Sequence, residues 1–345
     1  MRTGRCVVAA VCLVAAVLSG PSPFGQAQES SDTTGAPQHP VSGAEASDLL
    51  AQTLPEALAP ARATSLDPDG DVLEATVAKN GARTATVGQD PRDGFTLVAG
   101  SEPLVVTPAD VGPEAAPARL VNREVAVFAN TGPATDTAIR PAGAGIETFT
   151  QARNAAAPQD FSWNVSLEPQ ASLVSTDDGG IAVQDAAGDP RAAISPPVAV
   201  DAAGSPVATS VRAEGATVIL RVEHQSGGVQ YPVVADPVWT KIATFDLSNG
   251  DARTLGRALR KIADGSTLAG ALVALPHPVA KVFAVVIPVV GNVVVAGWSD
   301  RVLDAVGDAG PRQHICVRVE TSVQGFPPVP IPNVAASPRT TGRCS

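Results

Sequence analysis

Aromatic side chains are scarce, at 3% of the 345 residues, with one tyrosine (Tyr231) and three tryptophans. Any core must therefore be built mainly from Val, Ala, Leu and Ile, and a shell of recurrent tyrosines is excluded. Cations are also few: Lys and Arg total 24 against 34 Asp and Glu, a formal net charge of −10. An acidic chain without clustered Lys and Arg lacks the counterion-displacing surface that a nucleic-acid partner needs. Lysine occurs four times and methionine only at position 1, while Ala, Val, Gly and Pro abound. That usage suggests a high-GC, actinobacterial coding sequence. The length permits one large domain or two ordinary ones.

Cysteine is limited to four residues, and two of them, Cys6 and Cys12, fall in the opening apolar run. Arg2 and Arg5 precede that run, CVVAAVCLVAAVL from Cys6 to Leu18, and Gly20-Pro21 and the small-residue pattern Gly25-Gln26-Ala27 follow it. Basic start, apolar stretch and small-residue site are the order of an export signal, and cleavage is expected after Ala27. The run is shorter than the roughly 20 residues of a membrane span. Losing Arg2 and Arg5 takes the net charge to −12. The expected location is secreted, extracellular or in the cell envelope. There, Cys316 and Cys344 are expected to pair as a disulfide.

Residues 28–60 read as a flexible leader, polar and rich in Pro, Gly, Ser and Thr to residue 43. A short helix over 44–59 places Leu49, Leu50, Leu54 and Leu58 on one side, limited by Pro55. From 61 to 240 the pattern is of strands. Phe161, Trp163, Val165 and Leu167 alternate with polar residues, and Val218, Leu220 and Val222 alternate with Ile219, Arg221 and Glu223; period two is that of a half-buried strand. Turn signals separate the runs: Asp177-Asp178-Gly179-Gly180, Ala187-Gly188-Asp189-Pro190, Ala203-Gly204-Ser205-Pro206 and Glu214-Gly215. Short strands at such spacing predict a mainly β, antiparallel sandwich-like fold.

Within this region the succession SLVSTDDGGIAVQDAAGDPRAAISPPVAVDAAG, then ATVILRV, then VQYPVVADPVW resembles the β-rich domain near the N-terminus of actinobacterial secreted Rhs/YD-repeat and cell-wall-associated proteins. The family's closing YPV-x-x-DP signature is matched at Tyr231-Pro232-Val233 and Asp236-Pro237, and VFANTGPATDTAIRPAGAGIETF also fits its strand pattern. The resemblance spans about 120–240. It implies an extracellular β module with no catalytic residues to carry over. The recurrent tyrosines of a YD-repeat shell are missing.

Residues 241–310 read as an apolar helical region. DARTLGRALRKIAD, residues 251–264, sets Leu255, Ala258, Leu259 and Ile262 on one helical face and Arg253, Arg257, Arg260 and Lys261 on the other, with Gly265 as a stop. The basic face is a candidate for peripheral contact with an anionic membrane; the alternative is that the leucine face docks on the β module while the arginines stay solvated. The apolar stretch 268–306, cut by Pro276, Pro278 and Pro288, is expected to fold back as packed helical segments. Residues 311–345 read as a disulfide-closed, Pro-rich tail that alternates as a strand from Ile315 to Val323 and then becomes FPPVPIP, which cannot enter a sheet interior and should be extended.

Candidate chemistry is thin. Asp67-Pro68-Asp69-Gly70-Asp71 spaces carboxylates like a calcium loop but has Val72 where that loop continues with Gly, so a turn is the better reading. His39, His224, His277 and His314 occupy no motif, no Gly-x-Ser-x-Gly elbow exists, and His314 beside Cys316 gives two zinc ligands where a site needs more. No catalytic, cofactor-binding or metal-binding residue is assigned and no cofactor is expected. The expected role is structural or interactive, with a membrane-active role through 251–310 as the alternative and an extracellular hydrolase third.

Overall fold

The computed structural model describes residues 39–58, 64–77, 83–98, 103–142, 145–266, 292–324 and 329–339, with Leu275, Val279, Ala280, Phe283 and Cys344. Residues 1–27, expected to be an export signal, and most of 268–291 lie outside the described residues.

Period-two alternation becomes antiparallel pairing from residue 64 to 241. One sheet runs β1 (Thr64–Asp69), β2 (Val72–Val77), β3 (Arg83–Gly88), β4 (Phe95–Leu97), β5 (Leu104–Pro108), β10 (Asp160–Val165), β16 (Thr217–Val222) and β15 (Thr209–Glu214). The second runs β11 (Ser172–Ser175), β12 (Ile181–Gln184), β13 (Pro190–Ile194), β18 (Val238–Lys241), β9 (Gly145–Ala152), β8 (Thr135–Ala142), β7 (Val125–Gly132) and β6 (Arg119–Val121); β14 (Val198–Val200) pairs with β17 (Val233–Asp236), which pairs with β9. The inward residues of both sheets make one core. At its centre Trp239 of the second sheet meets Phe95 and Trp163 of the first edge-on, with centroids 5.6 and 5.9 Å away. Such contacts add to the area each ring buries. Few rings are available, and these three sit where the two sheets meet.

The turns follow their chemistry. Asp185 and Asp201 open two copies of the same loop: each carboxylate Oδ1 accepts the backbone N–H two and four residues on, at 2.8–2.9 Å. Gly188 and Gly204 take the left-handed conformation each loop needs, at φ +83° and +74°. The Asp67–Asp71 segment is the β1–β2 hairpin, and Asp67 is held by Arg123, Ser65 and Thr76.

The short helix expected over 44–59 is present, and residues 41–58, placed within the flexible leader, are docked on the sandwich. Helix α1 (Gly43–Thr53) is opened by a capping box between Ser42 and Glu45. Ala46, Leu50 and Leu54 bury against the outward face of the second sheet with Val125, Val127, Ala138 and Phe149. Asn130, left-handed at φ 58°, grips the Val41 backbone at both N–H (2.9 Å) and C=O (2.8 Å).

After β18 the chain builds a second core. Helix α2 (Asn249–Ala263) packs along α3 (Asn292–Asp308), beside a three-stranded sheet ordered β19 (Ala243–Leu247), β20 (Ile315–Gln324), β21 (Val329–Pro338). Gly265, at φ +97°, ends α2 as its spacing implied. Gly256 lets the two helices approach, since a Cβ there would lie 2.6 Å from Leu303 Cδ2. The expected Pro-rich tail is thus mostly a strand. Its prolines are tolerated because β21 is the sheet edge, pairing only with β20. Cys316 and Cys344 are bonded, with Cα atoms 5.2 Å apart.

Candidate functional site

An open pocket of about 360 Å³ lies between the two sheets, reached from the loops beside β4, β5, β7 and β10. Pro91, Pro108, Pro133 and Pro158 frame it, and their fixed φ angles hold the surround in shape without a bound molecule. Its walls are Phe95, Phe161 and Trp163 from the first sheet and Phe128 and Ile139 from the second. The volume falls at the lower end of the range for small-molecule sites, roughly 300–1,000 Å³.

Four threonines, Thr131, Thr135, Thr137 and Thr150, interrupt this apolar lining. Strand alternation turns Ile146, Thr150 and Ala152 inward on β9 and Thr137 and Ile139 inward on β8, and Thr137 pairs directly across from Thr150. Thr131 Oγ1 lies 2.9 Å from Thr137 Oγ1 and also reaches the Thr135 carbonyl at 3.4 Å. Thr150 is 3% exposed, and its hydroxyl has no hydrogen-bond partner among the described residues. A buried hydroxyl left unpaired costs about 1–3 kcal/mol.

Charge around the pocket is one-sided. Among the described lining residues none is Arg, Lys or His. Asp110 is exposed at the rim, and the Asp160 side chain turns outward to Arg212 and Arg221. The arrangement can hold an apolar body and one polar group; it offers no paired nucleophile and base.

The opposite face of the second sheet carries a buried charged layer roofed by α1 and the 3₁₀ turn Pro55–Leu58. Arg153 pairs with Asp136, which also accepts the Asn130 N–H at 2.9 Å and Gln151 Nε2 at 3.0 Å. Arg140 pairs with Glu147, donates to the Ala57 carbonyl at 3.1 Å, and stacks 5.2 Å over Phe149. Asp236 lies buried nearby, and neither of its oxygens makes a hydrogen bond of ordinary geometry among the described residues. Burial pushes the Asp236 carboxyl well above the usual range and the charge of Glu147 adds to the shift; burial also raises Asp136 and Glu147, against their arginines.

Sequence reasoning missed both sites. Thr137 and Thr150 are polar intrusions at inward positions, a signal present in the alternation. For Asp136, Glu147 and Asp236 nothing in their own strands announces the helix that covers them.

The residues it singled out fall elsewhere. Arg253, Arg257, Arg260 and Lys261 stay exposed on α2, with Arg260 paired to Asp300. The leucine face does dock, on α3 and the small sheet rather than on the sandwich as expected. No helix among the described residues is long and apolar enough to cross a membrane. His224 is fully buried, its Nε2 2.9 Å from the Pro158 carbonyl and its Nδ1 3.0 Å from the Tyr231 hydroxyl, and His314 pairs with Asp246. Among the described residues no cluster of three metal-ligating side chains exists. Comparison with protein-family models, with curated proteins and with solved structures returned no match.

Proposed function

We propose that the chain is an exported β-sandwich module of the cell envelope or its surroundings that acts by non-covalent binding, with the intersheet pocket as its site. The observation that carries this reading is the pocket itself: a framed, mostly apolar cavity with a few converging hydroxyls is the usual form of a small-molecule site. The Cys316–Cys344 bond supports an oxidising compartment. The turn succession and the YPV-x-x-DP segment that resemble the Rhs-associated domain point the same way.

The test is to export the full chain from an actinobacterial host, fractionate supernatant, wall and membrane, and examine the protein by native mass spectrometry. The expected product begins after Ala27, lies in supernatant or wall, and carries a non-covalent adduct of a few hundred daltons that denaturation releases. Intact Met1 on cytosolic protein would overturn the export. Recovery in the membrane fraction, released by salt, would assign the exposed Arg253, Arg257 and Lys261 face as the working surface instead.

A further inference from the structure

We infer that residues 41–58 are a proton-held cover: they close on the outward face of the second sheet while the Asp236 carboxyl is neutral, and loosen when it ionises. The cover's own hold is narrow. Ala46, Leu50, Leu54 and Ala57 supply its apolar contact with Val125, Val127, Ala138 and Phe149. Its polar ties are Asn130 to the Val41 backbone, Gln151 Nε2 to the Ala46 carbonyl at 3.5 Å and Arg140 to the Ala57 carbonyl at 3.1 Å. These ties lead back into the charged layer, since the Asn130 N–H and Gln151 both donate to Asp136 and Arg140 pairs with Glu147. Closure also seals in polar atoms that it does not satisfy. Glu147 Oε1, Gln151 Oε1, Arg153 Nε and both oxygens of Asp236 have no partner among the described residues. Opening hydrates them.

Asp236 is the group whose charge the closed form holds worst. Strand alternation sets it on the same face of β17 as Val234, which packs in the cover's apolar cluster, and it is 2% exposed. Glu147 of β9 and Arg140 of β8 face it, with the Val198 backbone of β14. Arg140 is engaged with Glu147, and Arg153 with Asp136. Among the described side chains of 41–58 the titratable ones are Glu45 and Asp48, both exposed, so they bring Asp236 no cation. Burial, and then the charge of Glu147, hold its carboxyl well above the ordinary value of 3.8. The closed form therefore binds the proton more tightly than the open one. Closure is fully favoured below the ordinary value and weakens as the pH rises through the closed-form value.

The experiment is hydrogen exchange followed by mass spectrometry on the full oxidised chain from pH 4 to 9, with protection corrected for the intrinsic rate at each pH. Helix α2, which packs on α3 and the small sheet, is the internal reference. Protection of α1 should fall about tenfold or more across this range, since each unit of carboxyl shift supplies a factor of ten in opening, while α2 stays level. In Asp236→Asn, which keeps the shape and cannot ionise, α1 should hold its acid-side protection throughout. Asp236→Ser is a second non-ionising variant should the first not fold. Protection of α1 that is constant or rises with pH, that falls in step with α2, or that in the folded variant still follows the parent would each overturn the inference.

Discussion

The sandwich and the C-terminal unit solve the same shortage of aromatic residues in different ways. The sandwich brings Phe95, Trp163 and Trp239 together where its sheets meet and extends a core of Val, Leu, Ile and Ala around them. It has enough area to carry an open pocket on one side of its second sheet and a buried charged layer on the other. Among the described residues the C-terminal unit has α2 and α3 against a three-stranded sheet, a ring contact between Phe283 and Trp298 at 6.4 Å, and a disulfide. Small cores leave little surplus over chain entropy, and a covalent closure offsets that. Size thus permits polar cost in one region, while thinness requires a staple in the other.

If that division holds, perturbing one region should leave the unfolding of the other in place. The largest expected effect is in the sandwich. Arg153→Ala leaves Asp136 buried without its cation, a loss of about 3–5 kcal/mol, or roughly 10 °C in the sandwich transition followed by tryptophan fluorescence. The deficit should shrink in acid, where a proton neutralises Asp136. A loss that is the same at all pH values would show that Arg153 serves by packing alone.

Next in size is the disulfide. Cys316 and Cys344 are 28 residues apart, and replacing both by serine should cost roughly 3–4 kcal/mol on the chain-entropy account. Scanning calorimetry should find the C-terminal transition lowered and the sandwich transition unmoved. If both fall together, the two cores are one cooperative unit and the comparison fails.

How much of this was legible in the sequence depends on whether a signal is local. Turns announced themselves through Asp and Gly at fixed offsets, and β10 and β16 through the alternation of Phe161, Trp163, Val218 and Leu220. Helix α2 and its stop at Gly265 were equally plain, because cap, face and terminator lie within one segment. What was hidden is what depends on a distant cover. Glu147 and Asp236 alternate like exposed residues, and only the docking of 41–58, tied down by Asn130 some 89 positions away, makes them interior. The same distance hid the partner of the leucine face of α2, since Val302 and Leu303 follow about 40 residues later. In the small sheet β20 was legible in the alternation from Ile315 to Val323, whereas β21 was hidden because its prolines argue against a strand until its place at the edge is known.

The smallest effect is the most diagnostic of how the sandwich tolerates its charged layer. Glu147 and Asp236 are both raised by burial, yet only Glu147 has a guanidinium, with Arg140 Nε 2.8 Å from its Oε2. A carboxyl whose folded value lies above its unfolded one binds its proton more tightly when folded. Its contribution is therefore fully present below the ordinary value of 3.8 and is lost as the pH rises through the folded value. Asp236→Asn, which keeps the shape and cannot ionise, should leave stability unchanged below about pH 4 and raise the sandwich midpoint at pH 7 by roughly 2–4 °C, the shift that about 1 kcal/mol produces in a domain of this size. Glu147→Gln should give a smaller gain at pH 7, because it removes the partner of Arg140 along with the buried charge. The C-terminal transition should not respond to either change. Thermal melts of the three proteins from pH 3 to 8 read this directly. An Asp236→Asn variant less stable than the parent at pH 7 would mean that the ionised Asp236 is the favoured form, held by Arg140 across Glu147, and that the layer is a balanced ion network rather than a tolerated cost.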